Sequence, residues 1–98
     1  MNMQNLMMQA KKMQKDIEKA QTELESKKYE GKSQMVTAVI SGKGKLISLN
    51  IDMNDFSSDD KEIIEDMILV AVNSAIEKME ADKADKFGKY GQMFNGLM

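Results

Sequence analysis

No cysteine and no histidine occur among the 98 residues of this chain, and all fourteen basic side chains are lysine. Without cysteine there is neither a disulfide framework nor a thiolate metal site. Without histidine the usual general base near neutral pH and the commonest metal ligand are missing, so enzymatic readings start at a disadvantage. The absence of arginine bears on nucleic acids. Its planar fork is the main bidentate reader of guanine, whereas lysine is a flexible point charge suited to phosphate. Were this chain to bind DNA, it should read sequence poorly. There is also no apolar run of about 18 residues that would span a membrane, and no charged head followed by an apolar block at the N-terminus. The expectation is a soluble, cytoplasmic protein with no membrane association. No repeat or proline-rich linker divides the chain, and its length suits one domain that leaves over a third of its unfolded-state surface exposed. Association would relieve that shortage.

What is present begins with a ladder. Met3, Leu6, Ala10, Met13, Ile17, Ala20 and Leu24 recur at alternating three- and four-residue steps, one stripe along a helix, until Lys27 breaks the pattern. About three heptads span roughly 33 Å at 1.5 Å per residue, and a lone helix of that length is marginal in water. The stripe needs a surface, either a partner's or that of its own domain. Segment 1–26 is therefore predicted to be a helical arm.

Residues 27–52 read as strands. A short one is expected around Lys28 to Glu30. From Gln34 to Ser41, Val36, Ala38 and Ile40 alternate with Met35, Thr37 and Val39, a strand expected to be covered on both faces. Gly42-Lys43-Gly44 supplies a turn, after which Ile47, Leu49 and Ile51 alternate with Ser48, Asn50 and Asp52, a strand with one wet face. Ser57-Ser58-Asp59-Asp60 offers helix caps and acids suited to a helix N-terminus. The run Ile63/Ile64, Met67/Ile68, Ala71/Val72, Ala75/Ile76 and Met79, widened by Leu69 and Val70, then predicts a long core helix over 57–86 that packs across the sheet. Gly88, Gly91 and Gly96 among aromatic and methionine residues predict a flexible tail over 87–98. The fold class is α+β: an N-terminal helix, two or three antiparallel strands and a long C-terminal helix, with helical extensions at both ends.

The net charge of −2 conceals an asymmetry. Residues 1–22 carry Lys11, Lys12, Lys15 and Lys19 against Asp16 and Glu18, and residues 31–50 carry Lys32, Lys43 and Lys45 with no acid. Residues 51–66 hold seven acids against Lys61 alone. Fields act within a Debye length of about 8–10 Å, so a basic end functions beside an acidic one. In the heptad frame of the first helix, all four lysines lie opposite the apolar seam. That ridge suits a phosphate backbone; an ordinary solvated helix face is the plainer account.

Other chemistry fails on spacing. Asp52-Met53-Asn54-Asp55-Phe56-Ser57 starts like an EF-hand, but Ser57 occupies the glycine position and Ile63 that of the bidentate acid. Gly42-Lys43-Gly44 lacks the full phosphate-loop spacing and joins two strands. The acid pairs Asp59/Asp60 and Glu65/Asp66 have no nucleophile or oxyanion motif near them in sequence. No cofactor, metal or small-molecule substrate is expected. Met13, Met67 and Met79 fall on apolar stripes, while Met1, Met3, Met7, Met8, Met93 and Met98 gather towards the ends, where they could face a partner.

Two segments resemble a known family. Asn5-Leu6-Met7-Met8-Gln9-Ala10-Lys11-Lys12-Met13-Gln14 is similar to the N-terminal helix signature of the YbaB/EbfC family of small bacterial nucleoid-associated proteins. So is Asp60-Lys61-Glu62-Ile63-Ile64-Glu65-Asp66-Met67-Ile68 with Ala71-Val72-Asn73-Ser74-Ala75, and Gly31, Val36, Gly42 and Ile51-Asp52 lie between at family-like spacing. The resemblance covers nearly the whole chain. It implies an α-β-β-β-α fold, a tight homodimer with tweezer-like helical arms, and binding to double-stranded DNA in the nucleoid. Met53 departs from the pattern, standing where the family has proline after Ile-Asp, which implies a less rigid loop. The family's DNA contacts form no compact motif, so only a region carries over.

The expectation is a non-enzymatic homodimer that binds double-stranded DNA with little sequence specificity, affecting nucleoid organisation or gene expression. Lys11, Lys12, Lys15 and Lys19 are the candidate contacts, with Lys83 and Lys86 contributing from the second arm. The alternative is an adaptor whose N-terminal seam captures a partner helix.

Overall fold

A computed structural model describes residues 2–97, with side chains through Gly88. Helix α1, Met3–Ser26, is built mostly of straight-chain helix formers, and the Asn2 side chain caps it by accepting the Gln4 N–H at 3.1 Å. It stops where Lys27 turns extended. Three strands follow, β1 (Lys28–Ser33), β2 (Val36–Ser41) and β3 (Leu46–Ile51), in an antiparallel sheet of order β1-β2-β3. A capping turn precedes the last helix: Asp60 accepts both the backbone N–H and the hydroxyl of Ser57, at 3.0 and 3.1 Å. Helix α2, Lys61–Leu97, then runs for 37 residues, about 55 Å at 1.5 Å per residue.

Helix α2 crosses β1 and β2 on one face of the sheet. That face of β2 presents Val36, Ala38 and Ile40, all buried, and the neighbouring positions of β1 present Tyr29 and Gly31. Close approach is possible because the residues at the crossing are small. Gly31 lies against Ala71 and Ala75, both fully buried, and a Cβ added at Gly31 would overlap the Ala71 carbonyl and the Ala75 nitrogen. The core divides in two along α2. Val36, Ala38, Met67 and Ala71 form one part, and Leu24, Tyr29, Ile40 and Ala75 form the other, against which Ile76, Met79 and Phe87 pack. The body is therefore thin, whereas the molecule measures 71 Å along its longest axis. Its radius of gyration of 19.9 Å compares with about 13 Å for a compact chain of this size. The excess lies in the helices that run beyond the sheet.

The α-β-β-β-α order matches the expectation from sequence, and three details differ. The short strand foreseen around Lys28 to Glu30 extends to Ser33 and pairs with β2 along its whole length. Strand β3 was expected to have one dry face, but Leu46 through Asn50 are exposed on both, because α2 lies mainly over β1 and β2, and only Ile51 at the end of β3 packs against the core. For the same reason β2 is covered fully on its α2 side only, with Thr37 and Val39 half-buried. Helical backbone continues from Lys86 to Leu97 through the segment read from sequence as a flexible tail. Glycine weakens a helix interior by about 1 kcal/mol but does not forbid it, and no proline interrupts the segment. Met1 and Met98 lie outside the described residues.

Candidate nucleic-acid interface

The apolar ladder of α1 is covered from one end only. Leu24 is buried in the core, Met13, Ile17 and Ala20 are half-buried, and Met3, Leu6 and Ala10 are exposed. The opposite side of the helix carries the lysines. Lys11, Lys12, Lys15 and Lys19 are all exposed, and among the described residues none is engaged in an ion pair. Lys11, Lys15 and Lys19 stand at successive i,i+4 positions, a row with a step of roughly 6 Å. Like charges at that spacing cost a few tenths of a kcal/mol per pair. Asp16, Glu18 and Glu23 stand three or four positions from these lysines and offset that cost, and a line of phosphates would neutralise the row.

The lysines nearer the sheet have different surroundings. Asp82 of α2 accepts a hydrogen bond from Tyr29 Oη and another from Lys27 Nζ at 3.2 Å. The Tyr29 bond, followed by Lys27, holds the Asp82 carboxyl below the usual carboxylate range although burial opposes the shift. Burial first, and the Asp82 carboxylate second, push the Tyr29 hydroxyl up to about 12. Bonding to Asp82 raises Lys27 in turn. One turn further along α2, Lys86 Nζ lies 3.7 Å from Glu23 Oε2 of α1, with its side chain only 18% exposed. These contacts tie the last turn of α1 and the start of β1 to α2.

The six candidate lysines therefore separate. The four on α1 share one arm, and Lys83 is exposed on α2. Lys86 differs from the other five: its side chain is mostly covered and its ammonium is paired with Glu23, so in this arrangement it braces the arms. The partner that claims it lies 63 positions earlier in the chain, and no local spacing signals such a pair. Sequence reasoning likewise missed Asp82, which reads as one acid in a solvated Ala-Asp-Lys run.

A second exposed feature is apolar. Leu46, Ile47 and Leu49 of β3, Phe56 in the following loop, and Ile63, Leu69 and Val70 on α2 are all exposed. Leu49 pairs with Ala38, which puts it on the α2 side of the sheet, at the edge the helix leaves open. No helix among the described residues is long and apolar enough to cross a membrane, and no group of three acidic or other ligating side chains among them could hold a metal ion.

Residues 1–94 match the model of the YbaB/EbfC DNA-binding family. A nucleoid-associated protein of Streptococcus suis is 39% identical over 92 residues, covering 92% of this chain and 93% of the relative. One from Caldanaerobacter subterraneus subsp. tengcongensis is 41% identical over 96 residues, covering 96% and 86%. One from Streptococcus pneumoniae is 37% identical over 92 residues, covering 92% and 93%. The chain belongs to the YbaB/EbfC DNA-binding family.

Proposed function

We propose that this member of the family is a nucleoid-associated protein that binds double-stranded DNA as a homodimer, with little sequence preference and no catalytic step. The observation that carries the reading is the unpaired lysine row on α1, set on an arm that extends from the body. Lysine donors engage phosphate and carry little base information, and with no arginine in the chain the contacts are expected to position the protein by backbone charge and duplex shape. Lys11, Lys12, Lys15 and Lys19 are the principal contacts, with Lys83 on the second arm.

Dimerisation supplies what one copy lacks. A single chain has a net charge of −2 and one lysine row, while a two-fold pair presents two rows to the same duplex. The exposed apolar residues of β3, Phe56 and the first half of α2 support a dimer made by the body, which leaves the arms free. The bacterial nucleoid is the expected location.

Replacing Lys11, Lys12 and Lys15 together with glutamine tests this. Duplex affinity should fall by about a hundredfold or more at 0.1 M salt, with a flatter salt dependence, because roughly one counterion is released per phosphate neutralised. The dimer should persist in sedimentation. Unchanged affinity in that variant would place the DNA contacts elsewhere. The exposed end of α1, with Met3 77% exposed and Leu6, Met7 and Met8 beside it, favours a second reading in which this end captures a partner helix. A stoichiometric protein partner that survives nuclease treatment and is lost on Leu6→Asp would establish it.

A further inference from the structure

The end of α1, the turn between β2 and β3, and α2 enclose a cleft of about 410 Å³ whose walls include Leu24, Glu25, Gly42, Lys43, Lys83 and Phe87. It brings together two lysines that lie 40 positions apart in the chain. We propose that Lys43 and Lys83 form a joint phosphate-binding notch at the root of the arms, extending the duplex-contacting surface from α1 onto the β2–β3 turn. The proposal rests on the DNA-binding reading above.

Three observations support it. First, of the lysines around this root, Lys27 and Lys86 are taken up by Asp82 and Glu23, whereas Lys43 and Lys83 are exposed and in no ion pair among the described residues. Glu25 is the acid on the cleft wall, and it accepts a hydrogen bond from Gln21 Nε2 at 3.3 Å. Two ammonium groups against one carboxylate leave the cleft net positive. Second, the turn is held in place before any ligand arrives. Gly42 N–H donates to the Lys27 carbonyl at 3.0 Å, and the Ser41 hydroxyl accepts the N–H groups of Lys43 and Lys45 at 3.2 and 3.3 Å. Gly42 itself sits so close to α1 that an added Cβ would overlap the Leu24 carbonyl. The backbone of Lys43 is therefore fixed against the arm, which lowers the ordering cost of an interaction made there.

Third, the cleft puts cations on a side of the arm that the lysine row leaves bare. At about 100° and 1.5 Å per residue, Lys11, Lys15 and Lys19 are rotated roughly 40°, 80° and 120° from Glu25, at axial distances of roughly 21, 15 and 9 Å. The row turns away from the cleft as it nears the sheet, so the notch adds a second basic patch at the root of the arm, where the row alone offers none.

The test compares the salt dependence of binding to a duplex of about 25 base pairs for the full chain, for Lys43→Gln with Lys83→Gln, and for a charge-matched control, Lys32→Gln with Lys61→Gln. The control residues lie outside the notch, in ion pairs with Glu30 and Glu65. For every phosphate that is no longer neutralised, the slope of log affinity against log salt should fall by about 0.9 and binding should weaken roughly five- to tenfold at 0.1 M salt. The notch variant is expected to forfeit two phosphates per protomer and the control to retain most of its slope. Equal reductions in the two variants would mean that net charge alone matters and would overturn the notch. So would a notch variant that binds like the unaltered chain. Failure of the unaltered chain to bind any duplex at low salt would overturn the DNA reading itself and the notch with it. Both lysines are exposed, and an unchanged thermal melt of the variant would separate weakened phosphate binding from a damaged fold.

Discussion

The two halves of α2 have opposite surfaces. Along its first half, Met67 and Ala71 bury against the sheet while Ile63, Leu69 and Val70 stay 56, 61 and 55% exposed on other sides of the helix. Between Asp82 and Gly88, where its second half is described, Phe87 packs on the core and the polar side chains are matched: Asp82 with Tyr29 and Lys27, and Lys86 with Glu23. The first half is an apolar surface that remains open. The second is a brace whose charges are spent on holding two helices together, beside lysines that remain free. The difference separates two tasks within one helix: an incomplete apolar surface calls for another protein surface, and unpaired lysines on a braced arm call for an anion.

The largest expected effect removes the comparison altogether. Gly31 lies where α2 crosses the sheet, against Ala71 and Ala75. Gly31→Val should cost at least about 3 kcal/mol, since backbone atoms fill the space its side chain requires. A thermal melt should show the cooperative transition lowered by more than about 12 °C or abolished. A transition left in place would mean that strand and helix separate easily, and the shared crossing would not matter.

A smaller change should act on the first half alone. Leu69→Asp with Val70→Asp places two charges on the open apolar side, where the single chain does not bury these residues. Sedimentation should show monomer in place of dimer, helical content should be retained, and duplex affinity should fall tenfold or more as the second lysine row is removed. A variant that remains dimeric would move the interface to the arms.

The smallest effects belong to the brace. Asp82→Asn weakens two hydrogen bonds made to a charged group and should cost about 1–2 kcal/mol. Its pH signature has a definite sign. The folded Asp82 carboxyl titrates below its ordinary value, so its stabilisation is full above the unfolded value near 3.9 and is lost as pH falls through the folded one. Tyr29 is the mirror case. Its hydroxyl is raised to about 12, so its contribution holds below the unfolded value near 10 and disappears as pH rises from there towards 12. Melts across pH should show both declines in the unaltered chain. Asp82→Asn should reduce the acid decline, and Tyr29→Phe should reduce the alkaline one. Unaltered pH profiles would mean that the brace contributes nothing measurable.

Much of the fold was legible because it depends on local period and local stops. The ladder ending at Lys27, the alternation through Val36, Ala38 and Ile40, and the caps before Lys61 all act within a few residues, and the structure places its elements there. What could not be read depends on which surfaces meet. Ile47 and Leu49 carry the alternation of a half-buried strand, but burial requires a helix overhead, and α2 takes a line mainly over β1 and β2. Periodicity states that a stripe needs cover without naming the cover, and the α1 ladder is covered at Leu24 and open at Met3. The candidate site divides in the same way. Lys11, Lys12, Lys15 and Lys19 follow from the phase of one helix, whereas the capture of Lys86 by Glu23 and the meeting of Lys43 with Lys83 arise only from the folded chain.

The most direct test of the central claim is a titration of the unaltered protein with two labelled duplexes of equal length and unrelated sequence, repeated from about 50 to 200 mM salt. Equal affinities that fall steeply and in parallel as salt rises are the expected result, with the slope giving the number of phosphates engaged. Absence of binding at low salt, or a shallow slope with strong preference for one duplex, would contradict a lysine-based, phosphate-reading protein.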